Sequence, residues 1–264
     1  MMTRSNRISG QPGSMPSRVV LLALVAAAVA AYACNATPTT PDGGGTTPST
    51  PGSLPDVKPG VTTLCKFGPG GRFVVTVDVT GANPSTKAVT VNDGACVDVA
   101  TVDPARKDDV IVAIAENAAT FAALDHIDLQ QGGGDAHSIR QTSAVSFEGT
   151  HGAVVTYHNN AVVTLCKVGL AGTFQFQIGP SDAFHDLSLA GGQCARIASI
   201  PPAARPDDVI VTVRENTSPS YRLDHVTLVL GDGDVAAPRT LTGSTNVSFE
   251  GVHGGVVTFF NVAP

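Results

Sequence analysis

From about residue 61 onward, apolar and polar positions alternate in short runs, and Gly, Pro, Asn or Asp interrupts the pattern every ten or so positions. Side chains on a strand point to alternate faces, so a period of two predicts half-buried β-strands. FVVTVDV, AVTVND, CVDVATV, DVIVAIAE, HIDL, AVSF and AVVTYHN are the strand candidates in the first part of this region. TFQFQI, LSLAG, CARIASI, DVIVTVRE, HVTLVL, NVSF and GVVTFFN follow in the second. With a leading TLCK, each part holds seven or eight strands in about 100 residues, and no segment sustains a helical period. The expected fold is all-β, with antiparallel sandwiches in which two sheets each bury one face.

The two parts are copies of one unit. LCKFGPGGRFVVTV matches LCKVGLAGTFQFQI, and DDVIVAIAEN matches DDVIVTVREN. LDHIDL matches LDHVTL, and SFEGTHGAVVTYHN matches SFEGVHGGVVTFFN. An internal repeat of this length predicts two tandem modules, 61–160 and 161–264, closely abutted because only a few residues separate them.

Composition agrees with strands and turns. The chain has 28 Gly, 18 Pro and no Trp, with only 14% charged residues. Net charge is −6 and no basic stripe is interleaved with aromatics, so nucleic-acid binding is not expected. Ahead of the modules, Arg4, Arg7 and Arg18 form a basic lead to VVLLALVAAAVAAYA, Val19 to Ala33. That arrangement predicts a secretory signal peptide over residues 1–33. Two processing readings stay open. Ala31-Tyr32-Ala33 suits ordinary signal peptidase, whereas the same run before Cys34 is similar to a degenerate lipobox, in which Cys34 takes the lipid. Residues 34–60, rich in Thr, Pro and Gly, cannot bury enough apolar surface to offset their ordering entropy and read as a flexible tether. The chain is thus expected outside the cytoplasm, on the outer surface or in the periplasm, held to a membrane through Cys34.

Strand parity isolates three polar residues per module on otherwise apolar faces. Leu64 shares a face with Lys66, Val155 and Tyr157 with Asn159, and Val110, Val112 and Ile114 with Glu116. In the second module Val163 and Leu165 lead to Lys167, Val257 and Phe259 to Asn261, and Val209, Val211 and Val213 to Glu215. An unpaired buried charge is costly, so Lys and Glu on inward faces should pair or change ionisation state.

Lys on a first strand, Glu ending a middle strand and Asn ending the last strand resemble the collagen-adhesin B-type repeat of bacterial surface proteins. The resemblance spans both modules and implies a prealbumin-like (immunoglobulin-like) sandwich. It also implies an isopeptide bond from Lys66 to Asn159 assisted by Glu116, and from Lys167 to Asn261 assisted by Glu215. ENTSPSY carries the Pro219 and Tyr221 that the family pattern leads one to expect, whereas ENAATFAALD lacks the Pro. Without the covalent bond, the Lys would snorkel to solvent or pair with Glu, and the Asn would cap its strand.

Cys65 and Cys96, then Cys166 and Cys194, recur at nearly matched spacing, which in an exported chain predicts one disulfide per module. Cys34 is left over for the lipid. No C-x-x-C suggests zinc; His126 and His225 sit in LDH beside Asp125 and Asp224, and His151 and His253 in FEGTHG and FEGVHG, whose two glycines read first as a tight loop entering the last strand. His151 and His253, near Glu148 and Glu250, are weak metal candidates. The Asp pairs 108–109 and 207–208 read as turn and edge charges. No nucleophile–base–acid set or phosphate loop occurs, so neither an enzyme nor a cofactor is expected. The functional expectation is an anchored surface protein with structural or adhesive modules, whose ligand or protein partner the sequence does not name. The alternative is a glycan- or metal-binding module acting through exposed loops.

Overall fold

The computed structural model describes residues 54–106, 109–117, 120–202, 209–231 and 238–264. The signal-peptide and lipidation readings, the tether up to residue 53, Asp108, Asp207 and Asp208 lie outside the described residues.

The first repeat supplies β1 (Val61–Phe67), β2 (Gly71–Val79), β3 (Ser85–Val91), β4 (Cys96–Thr101), β5 (Val110–Glu116), β6 (Ala122–Gln131), β7 (His137–Ile139) and β8 (Ala144–Glu148). A long strand, β9 (Ala153–Val168), follows. The second repeat then gives β10 (Gly172–Ile178), β11 (His185–Leu189), β12 (Cys194–Ile200), β13 (Ile210–Glu215), β14 (Arg222–Leu230), β15 (Arg239–Leu241), β16 (Asn246–Glu250) and β17 (Gly255–Val262). The sequence pattern did not reveal β7 and β15, because three residues are too few to show alternation.

Two four-stranded sheets, β3-β2-β5-β8 and β11-β10-β13-β16, each face one half of a shared nine-stranded sheet. Leu64, Ile127, Val155 and Tyr157 from the shared sheet meet Phe73, Val75, Val112 and Ile114 from the first small sheet. Leu165, Val226, Val257 and Phe259 meet Phe174, Val211 and Val213 in the second core. These side chains are almost all fully buried, and each contributes about 1.5–3 kcal/mol by leaving water.

Strand β9 is what makes the large sheet continuous. The runs read as the last strand of one repeat and the first of the next are a single 16-residue strand with no turn between them. Its odd-numbered residues keep one face throughout: Val155, Tyr157, Asn159, Ala161, Val163, Leu165 and Lys167 are all buried. The first half of β9 pairs in parallel with β1, and the second half in parallel with β17. All other ladders among the described residues are antiparallel. The first and last strands of each repeat are therefore neighbours.

Each first strand is held on its other side by a disulfide. Cys65 and Cys96 are register partners on β1 and β4 and are bonded at 2.07 Å; Cys166 and Cys194, partners on β9 and β12, are bonded at 2.02 Å. Parity sets these sulfurs on the face opposite the lysines.

Candidate functional site: two buried Lys–Glu–Asn triads

Each core closes at one end around three polar side chains. Lys66 and Lys167 have no solvent exposure, Glu116 and Glu215 are 8% and 4% exposed, and Asn159 and Asn261 are 2% and 5% exposed. The lysines therefore do not snorkel to water. In the first repeat Lys66 Nζ lies 3.5 Å from Glu116 Oε1, and Asn159 Nδ2 donates to the same oxygen at 2.8 Å. In the second, Lys167 Nζ lies 3.4 Å from Glu215 Oε1, which accepts from Asn261 Nδ2 at 2.8 Å. One carboxylate oxygen thus holds an amine and a carboxamide together, twice over.

The geometry follows from local structure. Lys66 stands beside Tyr157 in the parallel register of β1 and β9, so Asn159 is the next inward residue along the partner strand. Lys167 stands beside Phe259 in the same way, with Asn261 next. Glu116 and Glu215 end β5 and β13 in the opposing sheets, where they pair in register with Phe73 and Phe174. Phe73 meets Tyr157 edge-on at 4.9 Å, and Phe174 meets Phe259 at 5.2 Å, which walls the sites from the cores. Tyr157 Oη donates to Ile114 O at 2.9 Å, satisfying its buried hydroxyl.

Two glycine pairs make room. A Cβ on Gly71 would fall inside contact distance of Glu116 Oε1, and one on Gly172 would do the same to Glu215 Oε1 while lying 3.2 Å from Lys167 Cε. Gly68 and Gly169, just after the lysine strands, have φ of 89° and 85°, and their missing side chains let the backbone press against the carbonyls of Asn159 and Asn261. The sequence reading passed over these four glycines and the aromatic walls. Their signal was present, because LCKFGPGGRF and LCKVGLAGTF repeat both the Gly and the Phe positions.

Burial is the dominant influence on ionisation. It lowers the Lys66 ammonium to about 8, against the partly compensating pull of Glu116. It raises Glu116, with Lys66 and Asn159 opposing the rise. Lys167 is lowered for the same reason as Lys66. Asn159 Oδ1, Asn261 Oδ1 and Glu215 Oε2 are buried with no hydrogen-bond partner. Such unmade bonds in buried sites are expensive.

The other candidates are scattered. His151 is exposed in the turn before β9, and His253 Nε2 lies 3.9 Å from Glu250 Oε1. Glu148 is occupied by Thr150, accepting from its backbone N at 3.2 Å and its Oγ1 at 3.1 Å. Tyr221, part of the pattern found only in the second repeat, puts its ring 5.7 Å from Lys167 Nζ.

No protein-family model matches the chain, and no curated protein matches it. Among solved structures it is similar to the T-13 major pilin of Streptococcus pyogenes serotype GAS131465, at 12% identity, covering 79% of this chain and 98% of that one with a TM-score of 0.31. A second major pilin from Streptococcus pyogenes matches at 12% identity over 76% of this chain and 96% of the pilin, with a TM-score of 0.32. A Mobiluncus mulieris adhesin containing intramolecular disulfide, isopeptide and ester cross-links matches at 12% identity over 75% and 86%, with a TM-score of 0.26. The all-β sandwich architecture rests on the strand pairing and the two cores described above.

Proposed function

We propose that this chain is an exported surface protein built to bear tension, in which each repeat closes its own Lys–Asn isopeptide bond. The observation that carries the reading is the shared carboxylate oxygen: Glu116 touches both Lys66 and Asn159, and Glu215 both Lys167 and Asn261, in sites sealed from water.

The chemistry uses the chain's own groups. The neutral lysine amine attacks Cγ of the asparagine, forming the new C–N bond. The glutamic acid takes the proton lost from the amine and returns one to the departing nitrogen, which leaves as ammonia. A lowered amine supplies the nucleophile, and a raised carboxyl can both give and accept a proton. Rigid strands hold amine and amide at high effective molarity, which offsets a slow uncatalysed reaction. Each bond would close a loop of about ninety residues, and by analogy with disulfides this contributes roughly 4–5 kcal/mol through the unfolded chain.

Tension gives the arrangement its purpose. Asn159 and Lys167 sit on the same face of β9, eight positions and so about 27 Å apart. A load entering at β1 would cross to β9 through Lys66–Asn159, run along that strand, and leave to β17 through Lys167–Asn261. The strands between would be bypassed. Anchoring through Cys34 and the 34–60 tether would set this rod off a membrane. The two modules would meet at residues 160 and 161, inside β9.

Intact mass of the purified protein, denatured and fully reduced, tests the reading. A deficit of about 17 Da per repeat is expected from the lost ammonia, with a cross-linked peptide joining the Lys66 and Asn159 segments after digestion. A mass equal to that of the sequence would overturn it.

A further inference from the structure

On the outer face of the shared sheet, β6 and β9 bring together three side chains that the isopeptide reading does not use. His126 and His158 are register partners, and Asp128 lies two residues from His126 on the same face. The imidazoles stack at 4.2 Å with 8° between planes. Asp128 Oδ2 lies 3.6 Å from His126 Nε2 and 3.2 Å from His158 Nε2, and all three ligand atoms fall within 4.8 Å of one another.

Each group is aimed from behind. His126 Nδ1 is 2.6 Å from Asp125 Oδ2; a carboxylate only accepts, so Nδ1 donates and Nε2 is the nitrogen turned to Asp128. Arg140 Nη1 steadies Asp125 at 3.3 Å. Ser138 Oγ donates to Asp128 Oδ1, leaving Oδ2 turned to the histidines. Phe67 stacks on the far side of His158 at 5.3 Å. His158 Nε2 is sealed from solvent, and Asp128 Oδ2, at 3.2 Å, is the carboxylate oxygen it faces. A polar atom buried beside a carboxylate and a second imidazole has the surroundings of a metal ligand.

The second repeat serves as an internal control. His225 keeps its aspartate, with Nδ1 2.7 Å from Asp224 Oδ2, and stacks on Phe260 at 4.2 Å and 12°. Thr227 replaces the Asp128 position, and Phe260 the His158 position. The strand pair therefore needs neither a carboxylate nor a second imidazole to pack, and packing does not explain Asp128 and His158.

We propose that His126, Asp128 and His158 bind one borderline divalent transition metal of the zinc class. Two imidazole nitrogens and one carboxylate oxygen, with a position left for water, suit zinc; hard cations such as calcium and magnesium prefer all-oxygen sets. Asp125 takes the part of the outer carboxylate that orients a ligating histidine. Ligation would convert the stack into two converging Nε2 atoms through small rotations of both rings, whose side chains are about one-fifth exposed. The metal would tie β6 to β9 on the face opposite Asn159.

Isothermal titration of the untagged full chain with Zn²⁺, with Ca²⁺ as the contrast, tests this site separately from the cross-links. One Zn²⁺ per chain is expected, with no Ca²⁺ binding. Asp128→Thr/His158→Phe, which copies the second repeat and so preserves the packing, should abolish zinc binding. Asp125→Asn should weaken it by about 10–100-fold. Absence of zinc binding, or zinc binding unchanged in the copied variant, would overturn the proposal.

Discussion

The buried lysine offers the most direct physical test, because its ionisation must register in stability wherever the cross-link cannot form. In Asn159→Ala the amide is gone, and Lys66 stays an amine whose folded-state ammonium is lowered from 10.5 to about 8. Below about pH 8 both folded and unfolded chains carry the proton, so the full cost of burying the charge is present. Between there and the unfolded value, the unfolded chain binds more protons than the folded one, and stability rises with pH. Integrating that linkage from pH 7 to pH 10 gives a gain of about 2–3 kcal/mol. Lys66 has no exposure, so no reduction for solvent screening applies.

The reference is Lys66→Met/Glu116→Gln, which also cannot cross-link but has lost the titrating pair. Both variants keep Lys167 and Tyr221, whose own shifts cancel in the difference. Urea unfolding followed by far-UV circular dichroism, with disulfides intact, should show the Asn159→Ala midpoint rising by about 1 M relative to the reference from pH 7 to pH 10. A cross-linked parent would have no Lys66 amine and should lack this component. Parallel pH profiles for the two variants would refute the argument that burial without full compensation drives Lys66 toward its neutral form.

Further expectations follow from packing. Gly172→Ala places a methyl against Glu215 Oε1 and Lys167 Cε, so peptide mapping should show the second cross-link lost while the first is retained, and urea unfolding a loss of about 1–3 kcal/mol from overpacking on top of the roughly 4–5 kcal/mol of the missing bond. Tyr157→Phe removes the donor to Ile114 O without touching the triad, and should cost about 1 kcal/mol with the intact mass deficit unchanged.

Parity carried much of the site in advance. Because side chains alternate along a strand, the positions of Lys66, Glu116 and Asn159 relative to Leu64, Ile114 and Tyr157 sufficed to place each on an inward face, and the second repeat said the same of Lys167, Glu215 and Asn261. The cysteine spacing likewise foretold the bonded pairs. The recurrence of Gly71 and Gly172 was legible but their purpose was not, because the carboxylates they accommodate come from the partner strands β5 and β13, more than forty positions away. The zinc trio shows the same limit. H-x-D at 126–128 is visible as two residues on one face, but nothing local says that His158 lies opposite.

By itself, then, the sequence determined most of the strands, their inward faces, the duplication and the three polar residues that each repeat turns inward, because these depend on local alternation and recurrence. Tertiary structure alone decided that the first and last strands lie side by side in parallel, that two repeats share β9, and that three inward residues converge on one oxygen. Parallel neighbours are joined by long connections, so their pairing is fixed by how the whole sandwich closes and leaves no mark in the local period.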